Sequence, residues 1–112
     1  MSLVRWPFGD ASEVSLTADG AQAITVENEL TVVDGETTEA TGNRTLNLTV
    51  SDEIGAGAML FIKSKTNGTE TTIFGTSMQG ATITGVAGKT KTVLCIYDGS
   101  NFVEAGTPIQ ID

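Results

Sequence analysis

The stretch RTLNLTV, residues 44–50, alternates apolar and polar side chains from Thr45 onward. In an extended chain this alternation places Leu46, Leu48 and Val50 on one face and polar side chains on the other. A repeat of two residues is the signature of a half-buried strand. The stretch therefore predicts a β-strand that packs one face on a core and presents the other to water or to a partner.

The same period of two recurs along the chain, for example at Val14 and Leu16 and at Ile24 and Val26. Short turn signals separate such segments: Asp19-Gly20, Asp34-Gly35, Gly42-Asn43, Asn67-Gly68, Gly88-Lys89 and Asp98-Gly99. The pattern predicts an all-β, single-domain fold, an antiparallel β-sandwich or barrel-like fold of about eight or nine short strands. Residues 63–72 are interpreted as a hairpin with its tip at Asn67-Gly68.

Two runs are apolar at consecutive positions, AMLFI at residues 58–62 and VLCIY at residues 93–97. Both are too short for a helix to be favoured, and turn signals bound them. They are interpreted as central strands that are covered on both sides. The cover on the second face could also be an oligomer interface.

Composition and charge restrict the classes of partner. The 112 residues include 14 acidic and 6 basic side chains, a net charge of −8. Nucleic acids and anionic membranes are bound through clustered Lys and Arg, so we expect neither as a partner. The first residues lack the apolar run of a signal peptide, and nothing resembles a membrane span, so synthesis in a cytoplasm is expected.

The residue types for common catalysis are scarce. The chain has no histidine and one cysteine, which removes Ser-His-Asp and Cys-His sites and makes a zinc site improbable. The acidic pairs Glu27/Glu29 and Asp52/Glu53 are interpreted as a solvated face, with calcium at a subunit junction as the alternative. We expect no enzyme, no catalytic residue, no cofactor and no metal. Cys95 is expected to be a buried, inert thiol.

One segment suggests a contact. Trp6, Pro7 and Phe8 bring the only tryptophan and one of four phenylalanines close to the N-terminus. Either this segment is a plug folded onto the core of its own domain, or it is an anchor that inserts into a neighbour, since aromatic side chains dominate interface hot spots. Residues 1–12 are accordingly interpreted as an N-terminal arm or plug, and residues 13–112 as a single β domain.

Several segments together resemble small virion proteins of tailed bacteriophages, especially those of Bacteroidetes hosts, including crAss-like phages. They are WPFGD (6–10), ATGNRTLNLTV (40–50), AGA (56–58) followed by LFIK (60–63), TIFGT (72–76), GVAGKTK (85–91), YDGSNF (97–102) and PIQID (108–112). The segment YDGSNF also predicts a hairpin, in which Asp98-Gly99 forms the turn and Tyr97 packs against Phe102.

The resemblance implies a structural protein of the phage particle, located in the virion on the capsid surface. It would be a head decoration protein or a base for head fibres, acting through subunit contacts. It also implies a homo-oligomer, most often a trimer, whose partners are the major capsid protein or other virion proteins. The alternative is a fibre or spike recognition module that binds host surface glycans.

Overall fold

The structure, a computed structural model, describes residues 11–112, and these form eleven β-strands and no helix. The strands are β1 (Ala11–Ser15), β2 (Gly20–Val26), β3 (Leu30–Ala40), β4 (Arg44–Val50), β5 (Met59–Thr66), β6 (Thr71–Phe74), β7 (Met78–Gln79), β8 (Ile83–Thr84), β9 (Thr90–Tyr97), β10 (Phe102–Glu104) and β11 (Ile109–Gln110).

The first six strands alternate between two sheets. The odd-numbered strands together with β10 form a seven-stranded sheet in the order β1-β3-β5-β9-β10-β7, in which β11 also pairs with β9. The other even-numbered strands form a four-stranded sheet in the order β2-β4-β6-β8. The pairs β1–β3, β3–β5, β2–β4 and β4–β6 are parallel. Parallel neighbours need a long crossover connection, and here a strand of the opposite sheet supplies it.

The all-β, sandwich-like single domain is confirmed. Antiparallel pairing, however, is limited to the contacts of β9 with β5, β10 and β11 and of β6 with β8. The predicted hairpin at residues 63–72 is wrong, because the turn at Asn67-Gly68 sends the chain across to the other sheet. The described part of the chain has eleven strands rather than eight or nine, and three of them have only two residues. The first strand begins at Ala11, two residues before the predicted start of the β domain.

The core lies between the inner faces of the two sheets. Apolar side chains that are at least nine-tenths buried form one cluster there: Leu16, Ile24, Val26, Val33, Leu46, Leu48, Ile54, Ala58, Leu60, Ile62, Met78, Ile83, Val93, Cys95 and Phe102. Burial of apolar area contributes roughly 25 cal/mol per Å² and is the main force that holds the sheets together. The predicted inward positions Ile24, Val26, Leu46 and Leu48 are confirmed.

The hairpin at residues 97–102 is also confirmed. Tyr97 pairs with Phe102 across β9 and β10, and their ring centroids lie 4.8 Å apart. Asp98 Oδ1 accepts hydrogen bonds from the backbone N–H groups of Ser100 and Asn101, both at 2.8 Å. Gly99 occupies the turn with φ of 101°, a conformation that side-chain-bearing residues rarely adopt. The hairpin fixes the position of β10 beside β9.

Candidate functional site

The outer faces of the two sheets differ in chemistry. On the four-stranded sheet, side chains that point away from the core are small or polar, and Ile73, 36% exposed, is the one large apolar exposed residue of β2, β4 and β6. They include Ala21, Ala23, Thr25, Thr45, Asn47, Thr49 and Thr71. On the seven-stranded sheet, six of the corresponding positions of the three central strands carry large apolar side chains. This difference singles out the seven-stranded sheet as the candidate contact surface.

Strand register brings six of these apolar side chains together. In one row Leu30 of β3 pairs with Met59 of β5, which pairs with Ile96 of β9. In the next row Val32 pairs with Phe61, which pairs with Leu94. Neighbouring strands are about 4.8 Å apart, and positions two residues apart on one strand are about 6.6 Å apart, so the two rows form one continuous patch. We call these six residues the apolar outer face.

The apolar outer face is partly open to solvent. Leu94 and Ile96 each keep 37% of their surface exposed, whereas Val33 and Ile62, which point inward from the same sheet, keep none. The other four members are half-buried. Contiguous exposed apolar surface on a soluble domain marks a site of interaction more often than an isolated exposed side chain does.

A cleft continues the apolar outer face beyond β9. It has a volume of about 210 Å³ and is lined by Phe61, Leu94 and Ile109 together with Ala105, Gly106 and Thr107. The cleft lies where β10 has ended and β11 has not yet begun. The backbone N–H of Ala105 still donates to Leu94 O at 2.9 Å, and pairing resumes only at Ile109 with Thr92. The interrupted edge of β9 thus leaves a depression with apolar walls.

Charged groups border the far end of this face. The Lys63 Nζ atom lies 3.4 Å from Glu36 Oε1, and Thr90 Oγ1 donates to Glu36 Oε2 at 3.1 Å. Asp34 lies opposite Lys63 in the register and accepts hydrogen bonds from the hydroxyl and N–H of Thr37 and the N–H of Glu36. These hydrogen bonds, that of the Thr37 hydroxyl first, lower the pKa of Asp34. The apolar outer face therefore ends at a polar boundary.

Groups suited to chemistry are few in the part of the chain that the structure describes. Cys95 is fully buried, as predicted, and burial, with the nearby Glu104 charge, raises the pKa of its thiol to about 12. Among residues 11–112, no three His, Cys, Asp or Glu side chains are grouped so that they could hold a metal ion. In the same range, no helix is long and apolar enough to cross a membrane.

The candidate site coincides only in part with the sequence prediction. Trp6, Pro7 and Phe8 lie outside the described residues, so their predicted interface role stays a prediction. The runs at residues 58–62 and 93–97 do form adjacent central strands, and their second face is the apolar outer face. The contribution of Leu30 and Val32 was missed, although LTVV at residues 30–33 is apolar on both faces in the same way.

Comparison of the chain with protein-family models, with curated proteins and with solved structures gave no match.

Proposed function

We propose that this protein is a structural subunit that works by contact in a larger assembly, and that the apolar outer face is its contact surface. The single observation that carries the proposal is the register that groups six large apolar side chains on the solvent side of the seven-stranded sheet. The outer face of the four-stranded sheet consists mainly of Ala, Thr and Asn. It shows, for comparison, the side chains that this protein places on a sheet face exposed to solvent.

The energetics favour burial of this face. Fully burying a Leu or Ile side chain contributes about 1.5–3 kcal/mol, so completing the burial of Leu94 and Ile96, each 37% exposed, contributes about 0.5–1 kcal/mol each. The half-buried members add smaller amounts. A contact repeated between many subunits stabilises the assembly by mass action, as a ligand stabilises a folded state.

The assembly we propose is the particle of a tailed bacteriophage. The protein would lie on the capsid surface as a head decoration protein or a base for head fibres, as a homo-oligomer, a trimer in the first instance, bound to the major capsid protein or other virion proteins. The resemblance of the sequence segments to phage virion proteins supports this finer proposal. The chain would act through these contacts rather than as an enzyme.

The contact surface is tested by paired charge substitutions on the two outer faces. The double variant Leu94→Glu/Ile96→Glu places two carboxylates on the apolar outer face, and Ile73→Glu places one at a site of nearly equal exposure on the other sheet. Light scattering of the full chain should show an oligomer for the original sequence and for Ile73→Glu, and a monomer for the double variant. An original chain that is monomeric at micromolar concentration, or a double variant that assembles normally, would contradict the proposal.

The proposed location is tested on purified particles of the phage or prophage that encodes the chain. Mass spectrometry should detect the protein in the particles, and a stained gel should show it in a copy number comparable with that of the major capsid protein. A copy number far below that of the capsid protein would favour a fibre or spike module that binds host surface glycans. Absence of the protein from the particles would refute the proposed location.

A further inference from the structure

We propose that the cleft beside β9 receives the N-terminal segment, residues 1–10, of a neighbouring copy of this chain, with Trp6 and Phe8 as its anchors. This inference rests on the proposed function, because it uses the apolar outer face as the contact surface. It goes further by naming the occupant of that face, a defined segment of a second copy.

The cleft suits one large side chain. Its volume of about 210 Å³ is below the roughly 300–1,000 Å³ of pockets that hold drug-sized ligands. Phe61, Leu94 and Ile109 supply apolar walls, and Gly106 lines the cleft without a side chain. Aromatic rings bury large areas in such settings and prefer neighbours that include other rings, which Phe61 provides. An anchor of this kind matches the hot spots that dominate protein interfaces.

The chain carries a segment of matching chemistry and sufficient length. Residues 1–10 include Leu3, Val4, Trp6 and Phe8, a density of large apolar side chains that would need cover in an assembled protein. Fully extended, ten residues span about 33 Å, while the molecule measures 38 × 32 × 23 Å along its principal axes. The segment is therefore long enough to cross the outer face of an adjacent copy.

The direction of β1 favours a neighbour over the segment's own domain. Strand β1 begins at Ala11, which pairs with Leu30 at the end of the row that contains Met59 and Ile96. Because β1 runs parallel to β3, a segment that continues its direction leads away from the apolar outer face. To cover its own face, the segment would have to reverse direction before Ala11.

Charge favours a docked segment over direct packing of two outer faces. The segment carries one base and one acid, Arg5 and Asp10, so residues 11–112 retain the whole formal side-chain charge of −8. Packing two such bodies face to face brings like net charges together, which opposes association. A segment without net side-chain charge can fill the cleft while the two acidic bodies stay farther apart.

The test mixes two variants, each of which lacks one half of the contact. One is the chain without residues 1–9, which retains every core residue described above and has no tryptophan. The other is the full chain with Leu94→Glu/Ile96→Glu, which keeps Trp6 but has a charged outer face. Each alone should be a folded monomer by circular dichroism and light scattering. Mixed, they should form a one-to-one complex, and Trp6 fluorescence should shift to shorter wavelength as the ring is buried.

The full chain with Trp6→Ala/Phe8→Ala is the second variant, for use where the truncation perturbs folding. It should fold, remain monomeric alone, and bind the segment of the Leu94→Glu/Ile96→Glu chain in the same way. A mixture with no complex and no fluorescence shift overturns the inference. Unfolding caused by both the truncation and the double alanine change also overturns it, since the segment would then be a plug in its own domain.

Failure of the inference is separable from failure of the proposed function. If the truncated chain still assembles like the full chain, while Leu94→Glu/Ile96→Glu abolishes assembly, the contact surface stands and the occupant is wrong. If Leu94→Glu/Ile96→Glu leaves assembly of the full chain unchanged, the proposed contact surface itself is wrong.

Discussion

Replacing Arg44 with methionine should destabilise the protein strongly, because this side chain joins the two sheets. Arg44 begins β4 and is fully buried. Its Nε donates to Thr17 O and its Nη1 to Gly35 O, both at 2.9 Å, and Nη1 also reaches Ser64 Oγ at 3.3 Å. The Nη2 group donates to Thr38 O. Within residues 11–112, no carboxylate lies within ion-pair distance of the guanidinium. Backbone carbonyls therefore hold this charge.

The expected cost follows from the acceptors that methionine leaves behind. A buried carbonyl without a donor costs about 1–3 kcal/mol. Thr17 and Thr38 are exposed residues whose carbonyls can regain water, whereas Gly35 is buried. Removing a buried charge offsets part of the loss, and indeed burial lowers the pKa of Arg44, although the charge of Asp34 opposes this. The unpaired Gly35 carbonyl is the main remaining cost, so we expect a net loss of about 2 kcal/mol, out of a typical total of about 5–15 kcal/mol.

Urea unfolding followed by circular dichroism measures this loss. With a slope of about 1.5 kcal/mol per M, a loss of about 2 kcal/mol lowers the midpoint by about 1.3 M. Lys89→Met, which removes an exposed cation, is the matched control and should leave the midpoint almost unchanged. Arg44→Lys should recover only part of the stability, because an ammonium cannot reach all the carbonyls at once. An Arg44→Met midpoint equal to that of Lys89→Met would refute the reasoning.

Three further predictions concern single positions. Hydrogen bonds lower the pKa of Asp34, so its ionised carboxylate stabilises the protein above the unfolded-state pKa of about 3.9, and this stabilisation is lost as the pH falls through the folded-state pKa. In a plot of urea midpoint against pH, Asp34→Asn should therefore show a smaller decrease at acidic pH than the original chain. Parallel profiles for the two proteins would contradict this. The Cys95 thiol, with its pKa raised to about 12, should react with a disulfide reagent at pH 8 only as fast as the protein unfolds, and faster reaction would contradict its burial. Gly35→Ala should lower the urea midpoint, since its Cβ would lie 2.6 Å from Lys63 O and 2.7 Å from Arg44 Nη1; an unchanged midpoint would show that the contact relaxes freely.

The inward faces of strands could be predicted because a period of two is a local property of the sequence. Leu46 and Leu48 alternate with Thr and Asn, and both are buried. Arg44 lies two residues before Leu46 in the same alternation, and it is buried as well. The period of two therefore predicts that its side chain points inward, although its charge would suggest an exposed position. A charged residue is rarely fully buried without partners, and the three carbonyl acceptors of Arg44 lie 6, 9 and 27 residues away along the chain, all outside β4. Those acceptors could not be read from the stretch itself.

The pairing of the strands could not be predicted from local signals. A turn dipeptide such as Asn67-Gly68 reverses or redirects the chain, but it does not specify whether the next strand joins the same sheet or the opposite one. Here β5 and β6 lie in different sheets: β5 pairs with β3 and β9, and β6 pairs with β4 and β8. That choice depends on which faces bury the most apolar area together, a property of the whole chain.

The alternation between sheets also explains why the two outer faces can differ so sharply. In a meander of hairpins, neighbouring strands of the sequence share a sheet, whereas here β2, β4 and β6 form one sheet while β3, β5 and β9 are adjacent in the other. The outward side chains of the first group, such as Thr25 and Thr49, favour the β-strand conformation and are polar enough to face water. Those of the second group, such as Phe61 and Leu94, cost solubility unless they are covered. Folding alone requires no large apolar side chains at these outward positions, so a contact outside the domain is the physical reason we give for them.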